Sequence, residues 1–234
     1  MKVEFILDGR QVTADPSRSF PQIAADNGIY LPTLCFRPDQ PRVGTCRVCS
    51  IRFNGSVVAG CTVRVWDGAT VEVESPDLQE LRREVVELLF AEGQHNCPSC
   101  EKSGRCRLQG VSYEVGLHSS QFPYRYPARE AEHRTEKIWL ERDRCILCHR
   151  CIEFVRDAAT GNKIFSMSGR GASARIEVDA ELADAMSDAQ VREAVDTCPV
   201  GAILAKGVGY DEPIGERRFD HRTVRDRILE GDEP

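Results

Sequence analysis

The sequence has no apolar run that approaches the roughly 18 residues of a membrane-spanning helix. Its amino terminus carries Glu4 and Asp8 and lacks the basic and uninterrupted apolar segments of a secretory signal. Basic residues do not collect into a stripe, and 31 basic against 37 acidic residues give a net charge of −6. These absences argue against membrane insertion, export and nucleic-acid binding. We therefore expect a cytoplasmic protein without a nucleic-acid partner.

Cysteine, by contrast, is abundant, with eleven among 234 residues. In a reducing cytoplasm, closely spaced thiols are metal ligands more often than disulfides. The cysteines therefore carry the main functional signal.

The first 75 residues have the pattern of a small mixed sheet. Short alternating runs are separated by the hairpin signals "DG" at 8–9 and "NG" at 54–55. The segment "SFPQIAADNGI" predicts one helix that ends at Asn-Gly. Strands are predicted at 2–7, 11–14, 50–53, 56–60 and 70–74. The pattern indicates a β-grasp domain.

The pattern changes at Ser75, which can cap a helix that begins at Pro76 and runs to about Glu92. A cysteine-bearing loop and the aromatic, proline-rich "QFPYRYPARE" follow. A strand-like "KIWLE" then leads to a cysteine cluster and a second helical stretch around "SDAQVREAVD". We predict an α+β chain with a β-grasp domain, a helix-plus-loop domain, a ferredoxin-like domain and a charged tail. Their boundaries are 1–75, 76–136, 137–209 and 210–234. For the tail we expect a solvated segment, with docking onto a partner as the alternative.

The first ligand set, which we call the grasp site, has the spacing C-x10-C-x2-C-x11-C. Four thiolates of this kind can hold a [2Fe–2S] cluster. A structural zinc ion is the alternative, because zinc also accepts four thiolates. Gly44 and Thr45 leave room for the backbone to approach the cluster. The set comprises Cys35, Cys46, Cys49 and Cys61.

The tripod site combines C-x2-C-x2-C with a remote cysteine that is followed by proline. Bacterial ferredoxins bind [4Fe–4S] clusters with this pattern. No second tripod precedes the remote cysteine, so one cluster is expected and not two. Its ligands are Cys145, Cys148, Cys151 and Cys198.

Three cysteines remain, Cys97, Cys100 and Cys106, spaced C-x2-C-x5-C. A further [4Fe–4S] cluster would lack one thiolate, and His95 is the nearest substitute because neutral imidazole binds iron. Two alternatives stay open: a solvent ligand on the fourth iron, or a [3Fe–4S] core. We call these four residues the histidine site.

The order of these motifs resembles the amino-terminal region of the large iron–sulfur subunit of respiratory complex I, and that of iron-only hydrogenases. The segments "GTCRVC", "CPSCEKSGRCRLQ", "RCILCHRC" and "DTCPVGAI" carry the resemblance. In complex I relatives the histidine stands four residues before the first cysteine, where this chain has Gly93. A chain of this length resembles the small diaphorase subunits of cytosolic NAD-reducing [NiFe] hydrogenases.

This resemblance implies an electron-transfer subunit of a hydrogen:NAD+ oxidoreductase with no catalytic centre of its own. It would hold one [2Fe–2S] and two [4Fe–4S] clusters in a hetero-oligomer. FMN, NAD and the Ni-Fe centre are expected only on the partners. The implied partners are the NADH- and FMN-binding diaphorase large subunit and the small and large [NiFe] hydrogenase subunits.

Two alternatives stay open from the residues alone. The same electron-transfer chain could serve an NAD-linked formate dehydrogenase or a complex I-like assembly. Alternatively, the cysteines could bind zinc in an interaction module without redox function.

Overall fold

The computed structural model describes residues 2–38 and 43–232 and has the expected α+β fold. Its main sheet has five strands in the order β2-β1-β5-β3-β4, with β1 and β5 parallel and the other pairs antiparallel. One helix, α1, belongs to the same unit. The elements are β1 (Val3–Leu7), β2 (Arg10–Ala14), α1 (Phe20–Asp26), β3 (Ser50–Phe53), β4 (Ser56–Ala59) and β5 (Thr70–Glu72).

Two tight hairpins set the register of this sheet. Asp8 and Gly9 have φ values of 45° and 78°, and Asn54 and Gly55 have 46° and 82°. Consecutive left-handed residues give the backbone twist that two-residue hairpins prefer. Both predicted turns are therefore present where the sequence places them.

Helix α2 (Pro76–Ala91) begins as predicted, after an extended Ser75 with proline in its first turn. Its buried face includes Arg82, whose Nε and Nη2 donate to the Ser50 carbonyl at 3.0 and 2.7 Å. Hydrogen bonds from a charged group contribute about 1.5–3 kcal/mol. Arg82 thus holds α2 against β3, the strand that follows Cys49.

A second buried charge on α2 anchors the aromatic segment 122–126. The Glu87 carboxylate, 1% exposed, accepts the Phe122 N–H at 2.8 Å and the Ser120 hydroxyl at 3.2 Å. Phe122 and Tyr126 nevertheless remain exposed. The segment is therefore fixed by its backbone while its rings face outward.

The remaining elements build the part of the chain that carries the other two sites. Sheet pairs form between β6 and β9 and between β7 and β8. Helix α3 and the β7–β8 hairpin had no counterpart in the sequence prediction. The elements are α3 (Arg107–Glu114), β6 (Ile138–Leu140), α4 (Arg150–Phe154), β7 (Phe165–Ser168), β8 (Arg175–Val178), α5 (Ala180–Ala185), α6 (Asp188–Thr197), β9 (Ile203–Ala205) and α7 (Val224–Leu229).

The expectation of a solvated carboxyl-terminal tail is wrong for α7. Thr223 caps this helix, Val224 is fully buried and Ile228 is 9% exposed. The helix packs against α3 and α1. Two apolar side chains one helical turn apart bury one face of this short, highly charged helix, while its charged residues stay at the surface. Residues 233 and 234 lie outside the described part of the chain.

No helix within residues 2–38 and 43–232 is long and apolar enough to cross a membrane.

Candidate iron–sulfur centres

The grasp site lies where three loops of the main sheet meet. Cys46 and Cys49 precede β3, Cys61 lies in the single turn after β4, and Cys35 follows the loop that leaves α1. All four side chains are at most 6% exposed. The Cys61 N–H donates to Cys49 Sγ at 3.4 Å. The structure therefore brings all four predicted ligands into one region of the core.

Close backbone approach at the grasp site depends on glycine. A Cβ at Gly60 would lie 2.9 Å from the Cys49 carbonyl oxygen, and one at Gly44 would lie 2.6 Å from Thr62 Cγ2. Gly44 also has a φ of 69°, which L side chains rarely adopt. These glycines keep the cysteine loops tightly packed.

The four grasp-site thiols share hydrogen bonds. A hydrogen bond with Cys46 holds the pKa of Cys35 far below its usual value, and one with Cys61 lowers the pKa of Cys49. Cys46 and Cys61 both hydrogen-bond Cys35, and this bond raises the pKa of each of these two thiols. Iron binds thiolates, so loading the site would release the protons that these two thiols retain.

The histidine site forms one small cavity before and beneath α3. Cys97 opens a single turn, Cys100 follows that turn, and Cys106 caps α3 by accepting the Gln109 N–H at 3.5 Å. The side chains of these three cysteines and His95 all line the same cavity. The structure thus places the four residues of the predicted histidine site around one cavity.

His95 lines this cavity as an uncharged imidazole that can act as a metal ligand. Its Nε2 is buried and has no hydrogen-bond partner among the described residues. The ring also makes a hydrogen bond with the backbone of Leu89, which leaves Nε2 for another partner. Burial lowers the pKa of His95 to about 4, so the imidazole is neutral at pH 7. Metal-bound histidines commonly hydrogen-bond the backbone through the second ring nitrogen.

Gly93 explains how the imidazole fits at this position. A Cβ at residue 93 would lie 2.6 Å from His95 Cδ2, closer still to His95 Nε2, and 3.1 Å from the Asp143 carbonyl oxygen. A histidine at residue 93 and the observed His95 ring therefore exclude each other. The glycine vacates the space that the ring of His95 occupies.

The tripod site is built around α4 and the end of α6. Leu147 and His149, the residues on either side of Cys148, have φ values of 50° and 62°. The Leu147 N–H donates to Cys145 Sγ at 3.4 Å. Burial raises the pKa of Cys145 to about 11, so an unbound thiol there stays protonated. Cys198 ends α6, and Pro199 prevents the helix from continuing.

Direct contacts connect the three sites. Next to Cys46, the Thr45 hydroxyl donates to the Cys148 carbonyl at 3.3 Å. Cys106 Sγ donates to the carbonyl of Pro199, next to Cys198, at 3.7 Å. The tripod site therefore touches the grasp site on one side and the histidine site on the other.

Sequence reasoning missed the buried basic residues between the sites. Arg150 Nη1 donates to the Leu34 carbonyl at 3.4 Å, and Lys102 Nζ donates to the Val195 carbonyl at 2.8 Å. Arg107 donates to the Thr33 carbonyl at 3.0 Å. The available signal was their place one or two residues from a cysteine, but their burial depends on contacts that are distant in sequence.

Within the part of the chain that the structure describes, no group of three or more His, Cys, Asp or Glu side chains is arranged to hold one metal ion. Cluster ligands bind different iron atoms, so they need not converge on one point. The donor chemistry of the three sites, eleven thiols and one neutral imidazole, fits iron–sulfur clusters.

Comparison with known families defines the class. Residues 1–76 match a 2Fe-2S iron-sulfur cluster binding domain. Residues 82–121 match the iron-sulfur binding region of NADH-ubiquinone oxidoreductase-G, and 135–204 match the ferredoxin-like domain of NADH-quinone oxidoreductase subunit 3. The chain is therefore an iron–sulfur protein with domains that bind a [2Fe–2S] cluster and [4Fe–4S] clusters.

Similarity over the full length narrows this class. The chain is 58% identical to the NAD-reducing hydrogenase HoxS subunit gamma of Cupriavidus necator, over 233 residues and 100% of both chains. A chain in the crystal structure of NAD+-reducing [NiFe]-hydrogenase in the H2-reduced state matches with a TM-score of 0.88 and 35% identity, over 99% of both chains. The chain belongs to the family of NAD-reducing hydrogenase gamma subunits.

Other relatives are much longer. The mitochondrial NADH-ubiquinone oxidoreductase 78 kDa subunit of Candida albicans is 29% identical over 89% of this chain, but only 29% of that protein is covered. The NADPH-Fe(3+) oxidoreductase subunit alpha of Geobacter sulfurreducens is 27% identical over 87% of this chain and 24% of its own length. The chain thus spans under a third of either protein.

Proposed function

We propose that this chain is the electron-transfer subunit of a cytoplasmic NAD-reducing hydrogenase. It would pass single electrons between an NADH- and FMN-binding diaphorase subunit and a [NiFe] hydrogenase module. Iron–sulfur clusters accept and release one electron at a time, and a flavin can convert between these single electrons and the two electrons of a hydride. The carrying observation is that three ligand sets meet through direct contacts within one chain.

The proposed ligand sets follow the three sites, with one [2Fe–2S] cluster and two [4Fe–4S] clusters. The grasp site would hold the [2Fe–2S] cluster through Cys35, Cys46, Cys49 and Cys61. The tripod site would hold one [4Fe–4S] cluster through Cys145, Cys148, Cys151 and Cys198. The histidine site would hold the other through His95, Cys97, Cys100 and Cys106. Support for His95 comes from its buried Nε2, which lacks a hydrogen-bond partner among the described residues and lines the cavity of the three cysteines.

The contacts favour a spatial order in which the tripod site is central. Its ligand Cys148 contacts Thr45, the neighbour of the grasp-site ligand Cys46. Pro199, the neighbour of its ligand Cys198, contacts Cys106 of the histidine site. A Cβ at Gly201, in the loop after Cys198, would also lie 2.9 Å from Cys100 Sγ. The family matches at 1–76, 82–121 and 135–204 support the proposed domains 1–75, 76–136 and 137–209.

The experiment that tests this function compares the complex with and without this chain. Without it, H2-dependent NAD+ reduction is expected to fall to background. Dye reduction by H2 and by NADH, which needs only the separate modules, is expected to persist. Undiminished H2-dependent NAD+ reduction in the absence of the chain would contradict the proposal.

A complex I-like or NADPH-linked assembly is the second candidate. The match with the Geobacter sulfurreducens NADPH-Fe(3+) oxidoreductase subunit favours it over an NAD-linked formate dehydrogenase. Identification of the chains that co-purify with this one distinguishes the two candidates, because [NiFe] hydrogenase subunits belong only to the first.

A further inference from the structure

The junctions of the tripod site contain positive charges for which the ligand sets alone give no reason. Arg150 is 5% exposed and Lys102 is 4% exposed. Both line one cavity, which Cys198 also lines. A buried cation is costly unless negative charge compensates it. These two buried side chains therefore need negative charge nearby to stabilise them.

Carboxylates do not provide it at Arg150. Its Nη1 donates to the neutral carbonyl of Leu34, which lies next to Cys35 of the grasp site. Its Nε has no hydrogen-bond partner among the described residues. None of the acids within residues 2–38 and 43–232 lies at ion-pair distance from it. Leu34 precedes Cys35, and Arg150 lies between Cys148 and Cys151 in the sequence. Arg150 therefore lies between the grasp site and the tripod site.

Lys102 holds the equivalent place on the other side. Its Nζ donates to the neutral Val195 carbonyl at 2.8 Å and lies 3.9 Å from Asp196, an exposed carboxylate. Asp196 lies two residues before Cys198 of the tripod site, and Lys102 itself lies two residues after Cys100 of the histidine site. Glu193 and Asp196 are the acids that line the cavity. Lys102 therefore lies between the tripod site and the histidine site.

We propose that Arg150 and Lys102 raise the reduction potential of the tripod site by placing one buried positive charge at each of its two junctions. A cluster held by four thiolates is net negative, and adding an electron increases that charge. Nearby cations in a region of low dielectric favour the reduced state. The inference rests on the proposed function, since it requires clusters at these sites.

The two buried cations also affect how the reduction potential of the tripod site compares with that of the histidine site. At the histidine site, imidazole replaces one thiolate and removes one negative charge, which favours reduction there. The all-cysteine tripod site would otherwise be harder to reduce than the histidine site. The two cations offset this difference, so the central site is not a barrier to electrons in either direction.

The test is a redox titration of the iron-loaded full chain, followed by electron paramagnetic resonance. Arg150→Gln and Lys102→Met remove the charges, whereas Arg150→Lys and Lys102→Arg keep them. Arg10→Gln removes one charge from the exposed strand β2 and serves as the control. Signals are assigned with cysteine variants that each lack one site.

Each charge-removing variant is expected to disfavour reduction of the tripod site by about tenfold, or about 59 mV for a one-electron couple. Arg150→Gln should also affect the grasp site, and Lys102→Met the histidine site. Charge-preserving variants should shift the tripod site no more than Arg10→Gln does. A tripod shift in Arg150→Gln or Lys102→Met no larger than that of Arg10→Gln would overturn the proposal.

Loss of iron from one variant leaves the other to decide by the same criterion. If both lose iron, Arg150→Met and Lys102→Gln, which remove the same two charges with other side chains, decide by the same criterion. Wild-type chain without iron would refute the proposed function itself. Wild-type chain with its clusters and unshifted variants would refute only this inference.

Discussion

Exchange of Cys151 for serine is expected to abolish H2-dependent NAD+ reduction and to lower the iron content by about four per chain. Cys151 lies in the first turn of α4 and is 8% exposed. A serine hydroxyl is a much weaker iron ligand than a thiolate, because it does not ionise near neutral pH. Since the tripod site touches both other sites, its loss interrupts the path that runs through these two contacts.

The matched control is Ile152→Val, at the next residue of the same helix and with the same 8% exposure. This change costs about 0.5–1.5 kcal/mol of stability and removes no ligand. It is expected to keep both iron and activity, so a loss specific to Cys151→Ser reports on the site. Full activity and full iron in Cys151→Ser would remove this residue from the ligand set.

Exchange of Gly93 for alanine is expected to alter the cluster of the histidine site. Among the proposed ligands, the added methyl group would meet only His95. The alanine Cβ would lie 2.6 Å from His95 Cδ2 and closer still to Nε2, so the imidazole must leave its present position, whereas the Asp143 carbonyl oxygen at 3.1 Å has to shift only slightly. Moving the end of a flexible side chain costs little stability, and the effect should therefore fall on the cluster. Gly93→Ala and His95→Ala are expected to give the same altered resonance signal at the histidine site.

Three comparison variants sharpen this test. Asn96→Ala, an exposed position between His95 and Cys97, should leave the signal unchanged. His95→Cys adds a negative charge and is expected to lower the potential of this site. Gly93→His combined with His95→Gln moves the imidazole to the spacing of complex I relatives and should restore a histidine-bound signal. An unchanged signal in His95→Ala, with full iron content, would exclude His95 as a ligand.

The sequence predicted the β-grasp unit well because its signals are local. The turns at 8–9 and 54–55 require left-handed residues, and Asp-Gly and Asn-Gly supply them. Helix α2 was predicted with its end within one residue, since a serine, a proline and an apolar stripe mark it.

Elements whose burial depends on distant partners were not predicted. Helix α3 begins at the ligand Cys106, so its first turn looked like part of a cysteine loop. In the tail, Val224 and Ile228 stand among charges, and their burial requires α3, where Gly110 leaves space for Val224.

The proposed ligand sets came from the spacing of the cysteines, but the spatial arrangement of the three sites did not. Spacing along the chain contains no information on which site lies beside which, and contacts such as Thr45 with Cys148 join residues 103 positions apart. The same reason hid Arg150 and Lys102, whose neighbours across the junctions come from other domains.

Metal analysis of the anaerobically purified full chain tests most directly whether this chain holds three iron–sulfur clusters. The expected result is a brown protein with about ten irons and about ten acid-labile sulfides, two of each from the grasp site and four from each other site. A colourless protein that carries zinc and no sulfide would contradict the account.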